Sequence, residues 1–260
     1  MVGAVILFRS ILFNLLFYLN LLVLLIVALA TLVMPRWGIL GMAKFWGRTS
    51  LWLLRVVCGT KVEFRGVEKI GHGPLLVAAK HQSTWETFAL LQLFGDFTFI
   101  IKRELIWIPL FGWFALKGGM ISVNRGAGQQ TLNEMAVRAR IEIHKGRQLV
   151  IFPEGTRRPP GAEPRYKFGV ARLYTEIGVP CIPIALNSGL FWRRRSFRRL
   201  PGTIVVEVLD PIPPGLDTET FLARLQNDIE TATARLVAEG ERELARHGVA
   251  SPAATASPST

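Results

Sequence analysis

His81 and Glu86 are the two side chains of this sequence best suited to proton transfer. They follow the apolar run 74–79, which predicts a buried strand, and they precede the apolar run 88–94, which predicts a helix that stops at Gly95. The point where a strand gives way to a helix is the usual place for chemistry in an open α/β sheet. An imidazole oriented by a carboxylate is a working general base, so the pattern indicates acid–base catalysis.

The same stretch also has a purely structural explanation. Ser83-x-x-Glu86 matches the capping box, in which a glutamate closes the N-terminus of a helix. His81 would then be an ordinary residue at the end of a strand. From this stretch alone both hypotheses stay open.

The composition of the whole chain points to a membrane. Its 260 residues are enough for one large domain with an added membrane or tail segment. Half of the residues are hydrophobic and the mean hydropathy is +0.33, with the excess concentrated near the N-terminus. The formal net charge of +12 indicates a polyanionic partner. A bilayer with anionic lipid explains both features, whereas nucleic acid explains only the charge, so we expect no nucleic-acid partner.

The sequence offers no sign of a metal site or a disulfide framework. The two cysteines, Cys58 and Cys181, are far apart, which favours a reducing compartment. The four histidines are scattered and lack the spacing of metal ligands. We therefore expect no metal.

Residues 1–58 are predicted to form N-terminal helices that attach the protein to a membrane. The apolar run 11–34 is long enough to span a bilayer as a helix. The following stretch, 37–57, mixes tryptophans with basic residues in an amphipathic pattern suited to the headgroup region. Whether the first helix spans the bilayer or lies in one leaflet stays open. Arg9 and the basic remainder of the chain predict a catalytic part on the cytoplasmic face of the inner membrane.

Residues 59–249 are predicted to form an α/β domain with a mostly parallel sheet flanked by helices, because strand patterns alternate with helix patterns. Besides the strand before His81, we expect strands at 61–66, 97–101, 120–123, 148–152, 181–186 and 203–209, and helices at 132–145, 166–177 and 217–246. Residues 250–260 contain only Ser, Pro, Ala and Thr, which predicts a disordered tail.

Two further polar clusters follow predicted strands, Asn124-Arg125 and the run 154–157. The carboxyl ends of parallel strands share one edge of a sheet, so these clusters should lie near His81. The backbone amides of the second cluster, together with Arg157, are suited to holding a phosphate. The structural alternative is a simple turn carrying a weak surface ion pair.

Four ordered blocks of the sequence resemble those of the glycerolipid acyltransferases, and most closely the bacterial 1-acylglycerol-3-phosphate acyltransferases. The blocks are His-Gln-Ser-Thr-Trp-Glu at 81–86, Gly-Met-Ile-Ser-Val-Asn-Arg at 119–125, Phe-Pro-Glu-Gly-Thr-Arg at 152–157 and Val-Pro-Cys-Ile-Pro-Ile at 179–184. The resemblance extends from about Gly59 to Ala185, and its third block is the most specific. One residue departs from the family pattern, which usually has Asp where this chain has Glu86.

The resemblance implies transfer of a fatty acyl group from a thioester to the sn-2 hydroxyl of lysophosphatidic acid, which gives phosphatidic acid. The donor would be acyl-CoA or acyl carrier protein, with no cofactor beyond this substrate and no covalent acyl-enzyme. The residue chemistry points the same way, because a hydroxyl is a poor nucleophile and needs a base to take its proton. His81 would be that base, and Glu86 would orient it and stabilise the imidazolium.

The resemblance assigns acceptor binding to the second and third blocks, namely to Arg125, Glu154, Gly155, Thr156 and Arg157. Two lysines are weaker candidates for the same role, Lys102 and Lys167. The expected partners are lysophosphatidic acid, the thioester donor and anionic membrane lipid. The basic run 193–199 suits anionic lipid or an acidic carrier protein, and a solvated loop would explain it equally well.

Two other functions fit the same residues. The acceptor could be a different lyso-lipid, such as a lyso-ornithine lipid or a lysophospholipid. Alternatively, the chain could be a non-catalytic basic protein that binds membrane lipid, with Glu86 as a helix cap and His81 as a bystander.

Overall fold

The computed structural model describes residues 2–124 and 128–249. The predicted site residue Arg125 and the predicted tail 250–260 lie outside these ranges.

The described residues form one seven-stranded sheet. Its strands are β1 (Thr60–Arg65), β2 (Leu75–Ala79), β3 (Phe97–Lys102), β4 (Ile121–Val123), β5 (Gln148–Ile151), β6 (Cys181–Leu186) and β7 (Gly202–Val208). Their order across the sheet is β1-β7-β6-β2-β5-β3-β4. Every neighbouring pair is parallel except β6 and β7. The predicted mostly parallel α/β sheet is therefore confirmed.

The helices are α1 (Val2–Val27), α2 (Arg36–Leu53), α3 (Glu86–Ala89), α4 (Phe111–Lys117), α5 (Gly128–His144), α6 (Phe168–Ile177), α7 (Ser188–Phe191) and α8 (Thr218–Arg246). The helix predicted at 88–94 is shorter than expected: α3 begins at Glu86, and Leu90–Gln92 continues it as a 3-10 turn. Helix α4, which is only seven residues long, was not predicted from the sequence.

The sheet brings the ends of distant strands together. Strands β2 to β6 are connected through parallel pairs, so all five carboxyl ends lie along one edge of the sheet, here called the carboxyl edge. Strand β7 runs the other way, which places its first residue, Gly202, at the same edge beside Thr60 of β1. Polar residues that follow β2, β3, β5 and β6 therefore meet at this edge.

The sheet is buried on both faces. Alternate residues of β2 point to opposite sides, with Val77 in the core layer beneath α1 and α2 and Leu76 in the layer beneath α5, α6 and α8. Every residue of β2 is buried. A strand covered on both faces needs apolar residues at every position, which explains the continuous apolar runs in the sequence.

Helices α1 and α2 form an N-terminal hairpin that lies along the domain. Near the start of α1, the hydroxyl of Ser10 accepts a hydrogen bond of 2.9 Å from the Arg199 amide, and Asn14 Nδ2 donates one of 3.0 Å to the Phe197 carbonyl. Just after α1 ends, Ala28 packs against Phe114 of α4. The hairpin therefore contacts the domain within the first half of α1 and again just after α1 ends, instead of projecting away from it.

The outer face of α1 is apolar. Its exposed side chains include Phe8, Ile11, Leu15, Leu19, Leu22 and Ile26. The segment Val2–Leu32 is long and apolar enough to cross a membrane, and only 17 % of its most apolar window is buried. A core helix of a soluble domain would be mostly buried, so this exposed apolar face fits contact with lipid.

Candidate active site

The imidazole of His81 is held flat against Phe152. His81 follows β2, and Phe152 follows β5, the parallel neighbour of β2. Their rings stack with centroids 4.0 Å apart and planes 16° apart. The side chain of His81 remains 13 % exposed, so a substrate can reach it while the stack fixes the plane of the ring.

The carboxylate of Glu86 is fully buried and surrounded by hydrogen-bond donors. It accepts from the amides of Gln82 and Ser83, each at 3.0 Å, from the Ser83 hydroxyl at 3.1 Å, and from the Ser188 hydroxyl. These donors compensate the loss of hydration that burying a carboxylate costs. The capping-box hypothesis predicted this geometry, in which the glutamate carboxylate accepts hydrogen bonds from the backbone amides that precede it.

The same carboxylate lies beside the histidine. Its Oε2 atom is 3.6 Å from His81 Nδ1, which is longer than a hydrogen bond. Among the described residues, this ring nitrogen has no hydrogen-bond partner. Catalytic hydrogen bonds are often long without substrate and tighten when it binds. Glu86 thus caps the turn and faces the imidazole, so the two sequence hypotheses do not exclude each other.

Ser188 is a residue of the site that the sequence analysis missed. It begins α7, directly after β6, and its hydroxyl donates to Glu86 and lies 3.1 Å from the Ser83 hydroxyl. Its side chain is fully buried. The sequence feature that could have identified Ser188 is its position just beyond a buried strand, next to the fourth block of the resemblance.

The third-block turn is tied to the strand that carries His81. Glu154 is 1 % exposed, and its Oε1 atom lies 3.1 Å from Lys80 Nζ. Lys80 also contacts Glu230 of α8 at 2.7 Å, and Tyr166 donates to the same Glu230 oxygen at 2.9 Å. Burial raises the pKa of the Glu154 carboxyl, and the nearby Lys80 ammonium opposes this rise. A buried, ion-paired carboxylate is unsuited to direct contact with an anionic acceptor.

The remaining residues of the turn face outward. Gly155 has a φ of +65°, a left-handed conformation that favours glycine and bends the chain sharply. Thr156 is exposed. Arg157 is half-buried, and its guanidinium donates to the hydroxyl of Thr84, in the loop between His81 and Glu86. The structure therefore places one cation of the third block directly beside the acid–base pair.

Both candidate lysines are exposed. Lys102 ends β3 at the carboxyl edge and pairs with Glu104 at 2.9 Å. Lys167 precedes α6, and its amide donates to the Pro153 carbonyl at 2.8 Å, which places it next to the third-block turn.

The described residues offer neither a metal-binding cluster nor a reactive thiol. In this part of the chain, no three His, Cys, Asp or Glu side chains are grouped so that they could hold a metal ion. Both cysteines are buried, and burial raises the pKa of Cys58 to about 12 and that of Cys181 further still. Neither thiol is therefore a nucleophile near neutral pH.

Comparisons with known proteins show what this chain is similar to. The Acyltransferase family model matches residues 61–187. The chain is 39% identical over 163 residues to the 1-acyl-sn-glycerol-3-phosphate acyltransferase of Pseudomonas aeruginosa, and the match covers 63% of each chain. It is 29% identical over 206 residues to the lyso-ornithine lipid O-acyltransferase of the same organism, covering 71% of this chain and 77% of that one.

A solved structure has the same fold. The crystal structure of the 1-acyl-sn-glycerophosphate acyltransferase PlsC from Thermotoga maritima matches with a TM-score of 0.71 at 22% sequence identity, over 88% of this chain and 97% of that one. The chain thus spans somewhat less than two thirds of the first relative and nearly all of the solved structure. The predicted resemblance is confirmed: residues 61–187, which contain all four blocks, match the Acyltransferase family model.

Proposed function

We propose that this protein is a membrane-bound acyltransferase that transfers a fatty acyl group from an acyl thioester to the sn-2 hydroxyl of 1-acylglycerol-3-phosphate. One observation carries the proposal: the His81 imidazole lies 3.6 Å from the buried Glu86 carboxylate, in a loop that Arg157 contacts. The pair supplies a base, and the guanidinium supplies a site for phosphate. The similarity to 1-acyl-sn-glycerol-3-phosphate acyltransferases supports the choice of acceptor.

In the proposed mechanism the two ring nitrogens of His81 have separate roles. Nδ1 faces Glu86, which leaves Nε2 for the substrate. Nε2 takes the proton of the acceptor hydroxyl as its oxygen attacks the thioester carbonyl, and Glu86 stabilises the imidazolium. The tetrahedral intermediate then expels the thiolate, which takes this proton from the His81 imidazolium. The new ester and the free thiol are the products, and no group on the protein is acylated.

We propose residues 1–58 as the membrane-attachment segment, 59–249 as the catalytic domain, and an α1 that lies within one leaflet. The contacts of Ser10 in α1 with Arg199, and of Ala28 just after α1 with Phe114, support this placement. If α1 crossed the bilayer, the polar residues of the domain beside it would enter the hydrocarbon region at high cost. We place the catalytic domain on the cytoplasmic face of the inner membrane, where acyl thioesters are made.

A second acceptor is favoured by one specific observation. The lyso-ornithine lipid O-acyltransferase is similar to this chain over 77% of its own length, a larger share than the 63% of the first relative. A lyso-ornithine lipid carries no phosphate for Arg157 to bind. The two candidates therefore differ in their dependence on this guanidinium.

Acyl-CoA and acyl carrier protein are both proposed donors. The exposed loop before β7 carries four arginines, Arg193, Arg194, Arg195 and Arg198. One of them, Arg194, donates a hydrogen bond of 2.9 Å to the Arg157 carbonyl. This loop lies beside the site and suits either an acidic carrier protein or anionic lipid.

The test is an assay of the purified full chain in detergent with both donors and a panel of lyso-lipid acceptors, with products identified by mass spectrometry. We expect thioester-dependent formation of phosphatidic acid. His81→Ala should lower turnover by about 10²-fold or more, at an unchanged unfolding temperature. Turnover by His81→Ala close to that of the parent chain would overturn the mechanism. Lipid binding without turnover on any acceptor would favour the non-catalytic alternative.

A further inference from the structure

A second exposed apolar surface lies on the catalytic domain, next to the connection between α1 and α2. Trp107, Trp113 and Leu116 are 76%, 57% and 59% exposed, and Ile108 beside them is 47% exposed. These four residues are here called the α4 patch. Soluble proteins seldom expose a group of large apolar side chains unless it contacts another molecule.

The local structure forces these side chains outward. Phe114 and Ala115 of α4 are buried, whereas Trp113 and Leu116, three positions apart, share the outer face of the helix. Gly112 packs directly against the backbone carbonyl of Ile106, where any side chain would collide. The helix is therefore fixed against the preceding turn in one orientation, with its tryptophan exposed.

The patch is continuous with the N-terminal hairpin. The Phe114 ring packs in one cluster with Ala28 and Ile39, on either side of the connection between α1 and α2. Lys117 Nζ at the end of α4 donates to the Leu32 carbonyl at 2.8 Å. Close to this contact, Val33 in the hairpin connection is 92% exposed, and Trp37 at the start of α2 is 65% exposed. The apolar surface of the hairpin thus continues onto the domain.

The charges around the patch favour an anionic bilayer as its partner. Lys102 and Arg103 precede the patch, and Lys117 closes α4, whereas Glu104 is the one acidic residue of this segment. Tryptophans next to basic side chains are typical of the boundary between headgroups and acyl chains. A water-soluble partner would not explain why the patch joins a hairpin with a lipid-like outer face.

We propose that the α4 patch is a second membrane-contact element, which enters the headgroup boundary of the same leaflet as the hairpin. The proposal rests on the membrane-bound function proposed above. Contacts along α1 and at α4 together give the domain a broad area of attachment, so the carboxyl edge keeps one orientation toward the bilayer. Lys102, directly before the turn that carries Trp107, is then kept near the lipid headgroups.

The test compares two sets of surface substitutions in the full chain. The patch variant is Trp107→Ser/Trp113→Ser/Leu116→Ser. The matched control is Val137→Ser/Ile141→Ser, which removes side chains 57% and 50% exposed on α5, on the other face of the sheet. Binding is measured by sedimentation with phosphatidylethanolamine–phosphatidylglycerol vesicles. We expect the patch variant to bind about tenfold more weakly and the control to bind like the parent chain.

Activity provides an independent readout. For the patch variant, turnover of an acceptor presented in vesicles should fall together with binding, whereas turnover in detergent micelles should stay at the parent level. In addition, Trp113→Cys can be labelled selectively with a fluorophore because Cys58 and Cys181 are buried. Brominated lipids should quench this label and leave a label at Val137→Cys unquenched.

A hairpin variant, Leu15→Ser/Leu19→Ser/Leu22→Ser, distinguishes failure of the patch inference from failure of the proposed function. If this variant detaches from vesicles while the patch variant binds normally, the patch inference is overturned and the proposed function stands. If the parent chain itself neither binds vesicles nor acylates any acceptor, the proposed function fails. A folded patch variant that loses carrier-protein-dependent turnover in micelles would assign the patch to a protein partner and overturn the inference.

Discussion

Lys80 Nζ lies 3.1 Å from Glu154 Oε1, and both side chains are at most 3 % exposed. This ion pair joins the end of β2, which carries His81, to the third-block turn, which carries Arg157. Glu230 of α8 contacts the same ammonium at 2.7 Å. The base and the proposed phosphate site are therefore held in a fixed relation by a charge network that itself faces the interior.

Lys80→Met should destabilise the protein, because it leaves the buried Glu154 carboxylate without its cation. Removing one partner of a buried pair costs about 3 kcal/mol of unfolding free energy. The loss of Lys80 also raises the pKa of Glu154 further above its ordinary 4.5. A carboxyl whose pKa is raised in the folded state stabilises the fold below its unfolded pKa and loses this contribution as pH rises through the folded value. The defect should therefore be smallest near pH 4.5 and grow toward neutrality.

The double variant Lys80→Met/Glu154→Gln is the control for this effect. It contains no buried carboxylate at position 154, so its free energy of unfolding should depend less on pH than that of Lys80→Met. The measurement is chemical denaturation across a pH series. Parallel pH profiles for the two variants would contradict the prediction.

Ser188→Ala should slow turnover without unfolding the protein. The substitution removes a hydroxyl that donates to the Glu86 carboxylate. A hydrogen bond to a charged group contributes about 1.5–3 kcal/mol, which corresponds to a loss of about tenfold or more in kcat. The KM for the acceptor should change little, because the hydroxyl orients Glu86 and does not bind substrate. Ser196→Ala in the basic loop is the matched control, and equal kcat values for the two variants would refute this role.

Arg157→Ala should distinguish the two proposed acceptors. We expect the KM for 1-acylglycerol-3-phosphate to rise about tenfold, because a charge-assisted contact with phosphate is lost. The KM for a lyso-ornithine lipid should change much less. Arg165→Ala is the control, since its side chain is 70% exposed and pairs only loosely with Glu163 at 3.9 Å. If Arg157→Ala raised the KM for both acceptors equally, Arg157 would not be the residue that recognises phosphate.

Gly47→Ala should weaken the contact between the hairpin and the helix that carries Glu86. A Cβ at this position of α2 would lie 2.7 Å from the Phe88 carbonyl of α3 and 2.6 Å from Gln92 Nε2. Such overpacking costs about 1–3 kcal/mol. Gly41→Ala, in the same helix with nothing within 4 Å of its Cβ, should leave stability unchanged or raise it by up to about 1 kcal/mol. Thermal unfolding in detergent measures both, and equal unfolding temperatures would contradict the packing argument.

Much of the fold follows from local sequence patterns. Strands such as β2 are buried on both faces, and this burial produces the continuous apolar runs that predicted them. The order of the strands and the antiparallel placement of β7 were not predictable in this way, because both depend on how distant segments pair. Helix α4 was missed because a seven-residue helix with an exposed tryptophan has no clear amphipathic period.

The candidate site was likewise predictable from the sequence only in part. The proximity of His81 and Glu86 was predictable because the two residues lie on one short turn. Ser188 and Glu230 reach the site from more than a hundred residues away in the sequence, and a lone serine or glutamate has no local signature. The third-block glutamate was assigned to substrate binding by resemblance, whereas its burial against Lys80 favours a role in positioning the turn. Arg125 lies outside the described residues, so its assignment to the acceptor stays a prediction.

Strand β1 lies at the edge of the sheet, and its partner there is β7, with Thr60 beside Gly202. During translation the hairpin and β1 therefore leave the ribosome long before their partner strand has been made. An unpaired strand next to an apolar hairpin invites aggregation in water. If the hairpin enters lipid as it emerges, in line with the proposed membrane attachment, β1 avoids this hazard and is held at the bilayer surface while its partner strand is made. The proposed attachment thus implies that the last strand of the sheet is added to a nascent chain that is already anchored, and that the bilayer takes part in folding before it supplies any substrate.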